Sequence, residues 1–284
     1  MEAIFHIAGV SDWEAAVPTG SYRVSTRGRS LGEVGFIHCS HRHQVERVAN
    51  VGYRGAGPLY LLCIDPERLG DTELREESAG GVETFPHLYG PLPIGAVTQV
   101  APLTPLSCGL FVPSTSWLSP KLKVGPSSIE GLGLIATGTI EAGEPVVVMG
   151  GSVLTDEEFA GYVAAVEKFS AAAIDEGFNV LQDAYDPLAR GNHSCDPTLW
   201  MADELTLLAR RGIRPAEEVT VDYCLMTVSE DWSMDCRCGG AGCRGTVTGA
   251  DCHRADLQAR YRGHFSPFIE RRIAGGRVAH PRGG

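Results

Sequence analysis

Short apolar runs broken by glycine, proline and charged residues dominate this chain. In the first part, Val34–Ile37 and Leu59–Ile64 have the length of strands between turn residues. Ser11-x-x-Glu14 predicts a capping box that opens a short helix. Ser40 is placed to cap a second helix running to about Asn50, with Val45, Val48 and Ala49 on one face. Further on, Gly133–Ala136, Pro145–Met149, Leu205–Ala209 and Val219–Tyr223 predict strands separated by glycine turns. Thr155-x-x-Glu158 opens a helix whose Phe159, Tyr162, Val163 and Val166 share a face, and Arg254 to Arg262 reads as helical because Leu257 and Tyr261 lie one turn apart. The pattern predicts an α+β first half and a mainly-β second half.

At 284 residues the chain is long enough for two domains, each with its own core. Residues Thr84 to Pro120 contain no charged side chain and seven prolines, which excludes a membrane-spanning helix and marks a domain boundary near residue 115. The opening Met1-Glu2-Ala3-Ile4-Phe5-His6 has neither a basic segment nor a long apolar run, so a signal peptide is not expected and a cytoplasmic protein is. Three lysines against 21 arginines suggest GC-rich coding and a bacterial source.

The net charge of −11 argues against direct nucleic-acid binding, which calls for a basic face. Charge is uneven: residues 121–253 hold 9 basic and 21 acidic side chains, whereas residues 254–284 hold 7 and 2. An acidic central region favours a cationic partner such as a lysine-bearing peptide, although such a surface also serves solubility alone.

Nine cysteines in a reducing compartment read as metal ligands and core thiols rather than disulfides. Cys236, Cys238 and Cys243 follow C-x-C-x4-C spacing, and Cys195 lies upstream in the Asn192-His193-Ser194-Cys195-Asp196-Pro197 turn. Four thiolates are what a closed tetrahedral structural zinc site needs. Gly239, Gly240 and Gly242 let the backbone wrap tightly there. The alternative is a set of core thiols, which have no reason to gather among glycines.

These segments carry a resemblance. Gly131-Leu132-Gly133-Leu134, the NHSC turn, Glu217-Glu218-Val219-Thr220-Val221-Asp222-Tyr223 and the CRCGGAGCRG loop occur in the order found in SET-domain methyltransferases with the zinc-binding extension called post-SET. The resemblance spans about Lys121 to Gly245 and implies a β-clip SET domain over 116–228, a post-SET segment over 229–250, and a helical, basic tail over 251–284. It implies S-adenosyl-L-methionine as cofactor and methyl transfer to a protein lysine. Tyr223 would be the catalytic tyrosine; Gly131, Leu132, Gly133, Asn192, His193 and Tyr223 would hold the cofactor; Cys195, Cys236, Cys238 and Cys243 would hold Zn2+. Trp200, Trp232 and Tyr185 are candidate walls of a lysine channel, or ordinary core residues. Two positions depart from the family pattern: Thr198 stands where asparagine is common, and Ala216 replaces a glycine.

Residues 1–115 resemble domain-of-unknown-function family 952 through Ile4-Phe5-His6-Ile7-Ala8, Gly35-Phe36-Ile37-His38-Cys39-Ser40, Leu59–Asp65 and Phe85–Leu92. That resemblance implies a fold related to ADP-ribosyltransferases and a pocket around His6, His38, Ser40 and His87. Histidine is the natural proton shuttle near neutrality, but a satisfied core histidine is the equal alternative. Two rival functions stand beside the lysine methyltransferase: a non-catalytic SET scaffold that binds peptide, and a nucleotide-dependent transferase in the first domain.

Overall fold

The computed structural model describes residues 2–78, 81–166, 168–229 and 232–275, and divides into two compact units, Met1–Val112 and Pro113–Gly284. The part of the expected basic tail beyond residue 275 lies outside the described residues.

In the first unit, Leu59–Ile64 forms the centre of a three-stranded antiparallel sheet, flanked by Ile4–Gly9 and Val97–Leu103. A second three-stranded sheet places Thr84–Tyr89 between Ile37–His38 and Glu73–Ser78. Ile4, Ala8, Trp13, Tyr22, Ile37, Leu62 and Leu88 fill one core between these elements. Each such large apolar side chain stabilises the fold by roughly 1.5–3 kcal/mol when fully buried.

The strand Leu59–Ile64 has the bounds its pattern predicts, but three neighbouring elements differ from expectation. Helix Val10–Ala16 begins one residue before Ser11 and has Gly9 at its N-cap, so Ser11 and Glu14 form no capping box. Ser40 caps nothing, because its backbone N–H and carbonyl pair with Phe5 at 2.8 Å each. The box falls instead on His41 and Gln44, which open a 3-10 turn, Arg42–Gln44, leading into helix Val45–Gly52. Val34 ends a short helix, Leu31–Val34, and the left-handed Gly35 turns the chain into the strand Ile37–His38.

The second unit is built on an eight-stranded sheet. Its path runs Trp117–Leu118, Pro145–Val148, Thr206–Ala209, Leu199–Met201, Glu218–Val221, Leu132–Ala136, Leu122–Pro126. Asn192–His193 pairs parallel to Glu218–Val221, and Leu199 also pairs parallel to it through Val221. Parallel neighbours cannot be joined by a tight hairpin, so distant segments converge on Glu218–Val221, where every residue but Glu218 is buried.

Thr155 and Glu158 form the predicted capping box, and the helix it opens spans Asp156–Val163. The expected strand Val219–Tyr223 ends earlier, at Val221, and Tyr223 opens a 3-10 turn instead. Ser233–Asp235 pairs with Thr246–Thr248, so a two-stranded ribbon closes the base of the cysteine loop. Helix Ala255–Arg260 occupies the expected position, and a further helix, Pro267–Gly275, buries Phe268 and Ile269.

Candidate functional site

Strand Glu218–Val221 brings the family-like segments together. Glu218 accepts from the Ser127 hydroxyl at 2.8 Å and from the Asn192 amide at 2.7 Å. The same Asn192 amide reaches the carbonyls of Glu130 and Leu132 at 3.2 and 3.1 Å. Asn192 and Glu218 thereby pin the loop that carries Gly131, Leu132 and Gly133. Gly131 has φ +49° and open space where a side chain would stand, which leaves its backbone accessible to a ligand. Gly133 is required for another reason: a Cβ there would collide with the Glu218 carboxylate. Leu132 is 46% exposed between them.

His193 is buried beside the same strand. Its Nδ1 accepts the Tyr223 backbone N–H at 3.2 Å, which places the proton of the neutral ring on Nε2, 3.4 Å from Cys195 Sγ. Burial lowers its pKa to about 4, so the ring is neutral near pH 7. The Tyr223 hydroxyl donates to the Gly191 carbonyl at 2.8 Å, and burial pushes its pKa up to about 12. A phenol in that state is a neutral hydrogen-bonding group whose oxygen lone pairs remain available.

The four cysteine sulfurs of Cys195, Cys236, Cys238 and Cys243 lie within 4.8 Å of one another, and those of Cys195 and Cys236 are 3.7 Å apart. Sulfurs at about 2.3 Å from a shared ion in tetrahedral geometry are about 3.8 Å apart, so the spacing fits a single zinc-sized cation. Burial raises the Cys195 and Cys236 thiols, hence a bound cation would have to displace their protons. The Arg244 N–H donates to Cys195 Sγ at 3.3 Å, and the His193 ring approaches the same sulfur; both orient that thiol.

Sequence reasoning missed the buried ion pair beneath this cluster. Asp222 is fully buried and accepts two bonds from the Arg244 guanidinium at 2.7 Å, one from the Tyr261 hydroxyl at 3.0 Å, and one from the Cys224 N–H at 3.2 Å. Burial alone would raise this carboxyl, but the Arg244 bonds and the charges of its neighbours outweigh it and hold the group below its usual range. Arg244 also faces Asp251, its Nε 3.1 Å from the carboxylate. The signal was present in the positions: Asp222 directly precedes Tyr223, and Arg244 directly follows Cys243.

The departures from the family pattern have local consequences. Thr198 Oγ1 accepts the Thr220 N–H at 2.9 Å, so the position keeps a hydrogen bond to the central strand. Ala216 has φ +67°, the conformation that glycine adopts without a steric penalty. Of the candidate channel walls, the Trp232 ring centroid is 6.1 Å from that of Tyr223, Trp200 stacks on His264 at 3.4 Å, and Tyr185 stands 94% exposed.

In the first unit, the four residues expected to form one pocket separate. His6 is buried, with Nδ1 2.7 Å from the His38 carbonyl and Nε2 3.2 Å from the Tyr22 hydroxyl, and burial lowers its pKa to about 4. Ser40 is buried against Phe5. His38 and His87 lie side by side on paired strands, with ring centroids 5.4 Å apart.

Comparison with known proteins follows this division. Residues 7–100 match the family described as "Protein of unknown function (DUF952)", and residues 131–224 match the SET domain. The chain is 29% identical over 144 residues to the histone-lysine N-methyltransferase ASHH3 of Arabidopsis thaliana, which covers 44% of this chain and 37% of that protein. It is 36% identical over 76 residues to the histone-lysine N-methyltransferase TRX1 of Oryza sativa subsp. japonica, covering 24% and 7%. The chain thus spans well under half the length of these curated relatives. The solved structure of protein CC0527 from Caulobacter crescentus is 34% identical, with 38% of this chain and 92% of that chain covered and a TM-score of 0.35. The chain thus carries a DUF952 domain over residues 7–100 ahead of a SET domain over residues 131–224.

Proposed function

We propose that the second unit transfers a methyl group from S-adenosyl-L-methionine to the side-chain amine of a protein lysine, and that Cys195, Cys236, Cys238 and Cys243 hold a structural zinc ion. The observation that carries this reading is the half-buried Tyr223, whose hydroxyl donates to the Gly191 carbonyl next to Asn192–His193. The named relatives are histone-lysine methyltransferases, which supports the same reaction class. When bound, the cofactor supplies an electrophilic methyl group on a sulfonium.

This chain's residues must solve the acceptor's protonation. A lysine with pKa near 10.4 is neutral about once in 2,500 molecules at pH 7, a handicap of roughly 4.6 kcal/mol. A dry channel lowers that pKa by desolvating the ammonium. Tyr223, protonated up to about pH 12, is not a base for this step. Its proton is given to Gly191, so its lone pairs accept an amine N–H and aim the nitrogen lone pair. Fixing that direction removes rotational freedom from the barrier, an effect worth several kcal/mol and up to roughly 7–11 in the best cases. Asn192 would hold the Gly131–Gly133 loop against the cofactor, and His193 would hold the Tyr223 backbone.

The test is transfer of labelled methyl groups to a lysate and to lysine peptides by the full chain. Tyr223→Phe is expected to lower kcat by roughly 100-fold or more while changing stability by only about 1 kcal/mol. Wild-type protein that binds no cofactor, or a Phe variant as active as wild type, would reject the proposal.

A further inference from the structure

The DUF952 domain presents a second chemical face, independent of the SET reading. Ile37, Leu74 and Leu88 point from the sheet Ile37–His38/Thr84–Tyr89/Glu73–Ser78 into the core. Alternation puts the adjoining residues on the opposite face. There His38 pairs with His87, and His87 with Arg75, in one row across three strands.

Each histidine is oriented through Nδ1 by a different partner. His38 meets the Ser25 hydroxyl at 3.0 Å, and His87 meets the Glu77 carboxylate at 2.8 Å. Among the described residues neither Nε2 is hydrogen-bonded to the protein. The Tyr89 hydroxyl also donates to Glu77 at 2.8 Å, and these two bonds hold the Glu77 carboxyl below its usual range, so it is an anion behind His87. Behind His38 stands only a hydroxyl. Burial, then the charge of His87, lowers the His38 pKa, which leaves its ring neutral. The two rings are therefore held by partners of different charge, a carboxylate for His87 and a hydroxyl for His38.

We propose that this face is a general acid–base site for hydrolysis of a small phosphodiester, with His38 as the base and His87 as the acid. Among the described residues beside the pair, Ser25 and Cys39 are withdrawn at 0% and 3% exposure, whereas His87 keeps 9%, so neither of the two serves as nucleophile. The attacking oxygen therefore comes from water, and both proton transfers fall in one displacement at phosphorus. His38 Nε2 takes a proton from the water as its oxygen bonds to phosphorus. The bond from phosphorus to the leaving oxygen breaks, and that oxygen takes the Nε2 proton of His87. Electrons and charge balance, and the two rings exchange protonation states before solvent resets them. The rings meet edge to face with centroids 5.4 Å apart, close enough for both to reach one small substrate lying over them. Arg29 places positive charge near His38, and Phe36, stacked on His87 at 4.1 Å, gives an aromatic surface beside it for a base. A chain of net charge −11 does not gather polyanions, which limits the substrate to a small, singly charged diester such as a nucleoside 2′,3′-cyclic phosphate.

The full chain is assayed with adenosine 2′,3′-cyclic phosphate and with bis(4-nitrophenyl) phosphate. Hydrolysis of at least one is expected, and His38→Gln and His87→Gln should each lower kcat/KM by about 100-fold or more. Glu77→Gln keeps both rings and should cost roughly 10–100-fold. His41→Gln, whose ring bonds Glu76, should leave the rate unchanged. Thermal unfolding checks that each variant is folded. Absence of wild-type turnover on both substrates, or folded His38 and His87 variants that keep the wild-type rate, overturns the assignment.

Discussion

Ala216 holds a left-handed backbone at φ +67°, where its Cβ crowds the following carbonyl at a cost of about 1–2 kcal/mol. Part of that cost returns when glycine is installed, because glycine is also freer in the unfolded chain. Ala216→Gly is therefore expected to raise unfolding stability by about 0.5–1 kcal/mol in urea titration; an unchanged or lower midpoint would contradict a strained turn. His6 carries a pH dependence of calculable sign. Its folded pKa of about 4 lies below the unfolded 6.5, so the unfolded chain binds the extra proton as pH falls. Its stabilising contribution is complete above pH 6.5 and is lost progressively toward pH 4, by roughly 2 kcal/mol between pH 7 and pH 5. Urea titrations of the full chain at both pH values should show this loss, and His6→Gln should reduce it. The resemblance to family 952 grouped His6, His38, Ser40 and His87 in one pocket, but strand register decides which side each one faces. His6 and Ser40 fell inside and His38 outside, a fact that depends on pairing partners distant in the chain.

Among elements, local chemistry was legible wherever it did not compete with pairing. Thr155 and Glu158 satisfy each other within four residues, and the helix starts as written. Ser11 and Ser40 had the right residue types, but Ser40's backbone is claimed by Phe5, and helix Val10–Ala16 takes Gly9 as its N-cap. The cysteine loop was legible from spacing and glycines alone, while the ribbon Ser233–Asp235/Thr246–Thr248 that closes it has no comparable signature. If zinc occupies this loop, elemental analysis should find one ion per chain. Chelation, or Cys195→Ser, is expected to remove it and to lower methyl transfer by at least about 10-fold. Full activity in metal-free protein would refute the structural role.

Over the whole molecule, the order of motifs revealed the SET domain, and the match over residues 131–224 takes in Gly131–Leu134, the NHSC segment and the EEVTVDY segment but stops short of the cysteine loop. The buried charges were not legible, because a sequence shows Asp222, Arg244 and Tyr261 as separate polar residues and only folding makes them one group. The imbalance of charge has a kinetic consequence. With 9 basic against 21 acidic groups over residues 121–253, a lysine-rich peptide should be drawn in by long-range attraction. Raising salt from about 50 to 300 mM shortens the screening length from about 14 Å to below about 6 Å, and the peptide KM should rise several-fold with kcat nearly constant. A KM indifferent to salt would mean that the acidic surface serves solubility alone.

The bonds made by residues 260–266 set where a working fragment can end. The Tyr261 hydroxyl reaches Asp222, Arg260 donates to the Cys195 carbonyl at 2.8 Å, and the Ser266 N–H bonds the Leu225 carbonyl at 2.9 Å. A clone stopped at Gly245 would keep every recognisable motif yet expose Asp222, next to Tyr223, to water. The minimal expressible piece of the second unit therefore reaches at least to the helix Pro267–Gly275, some fifty residues beyond the recognised family boundary.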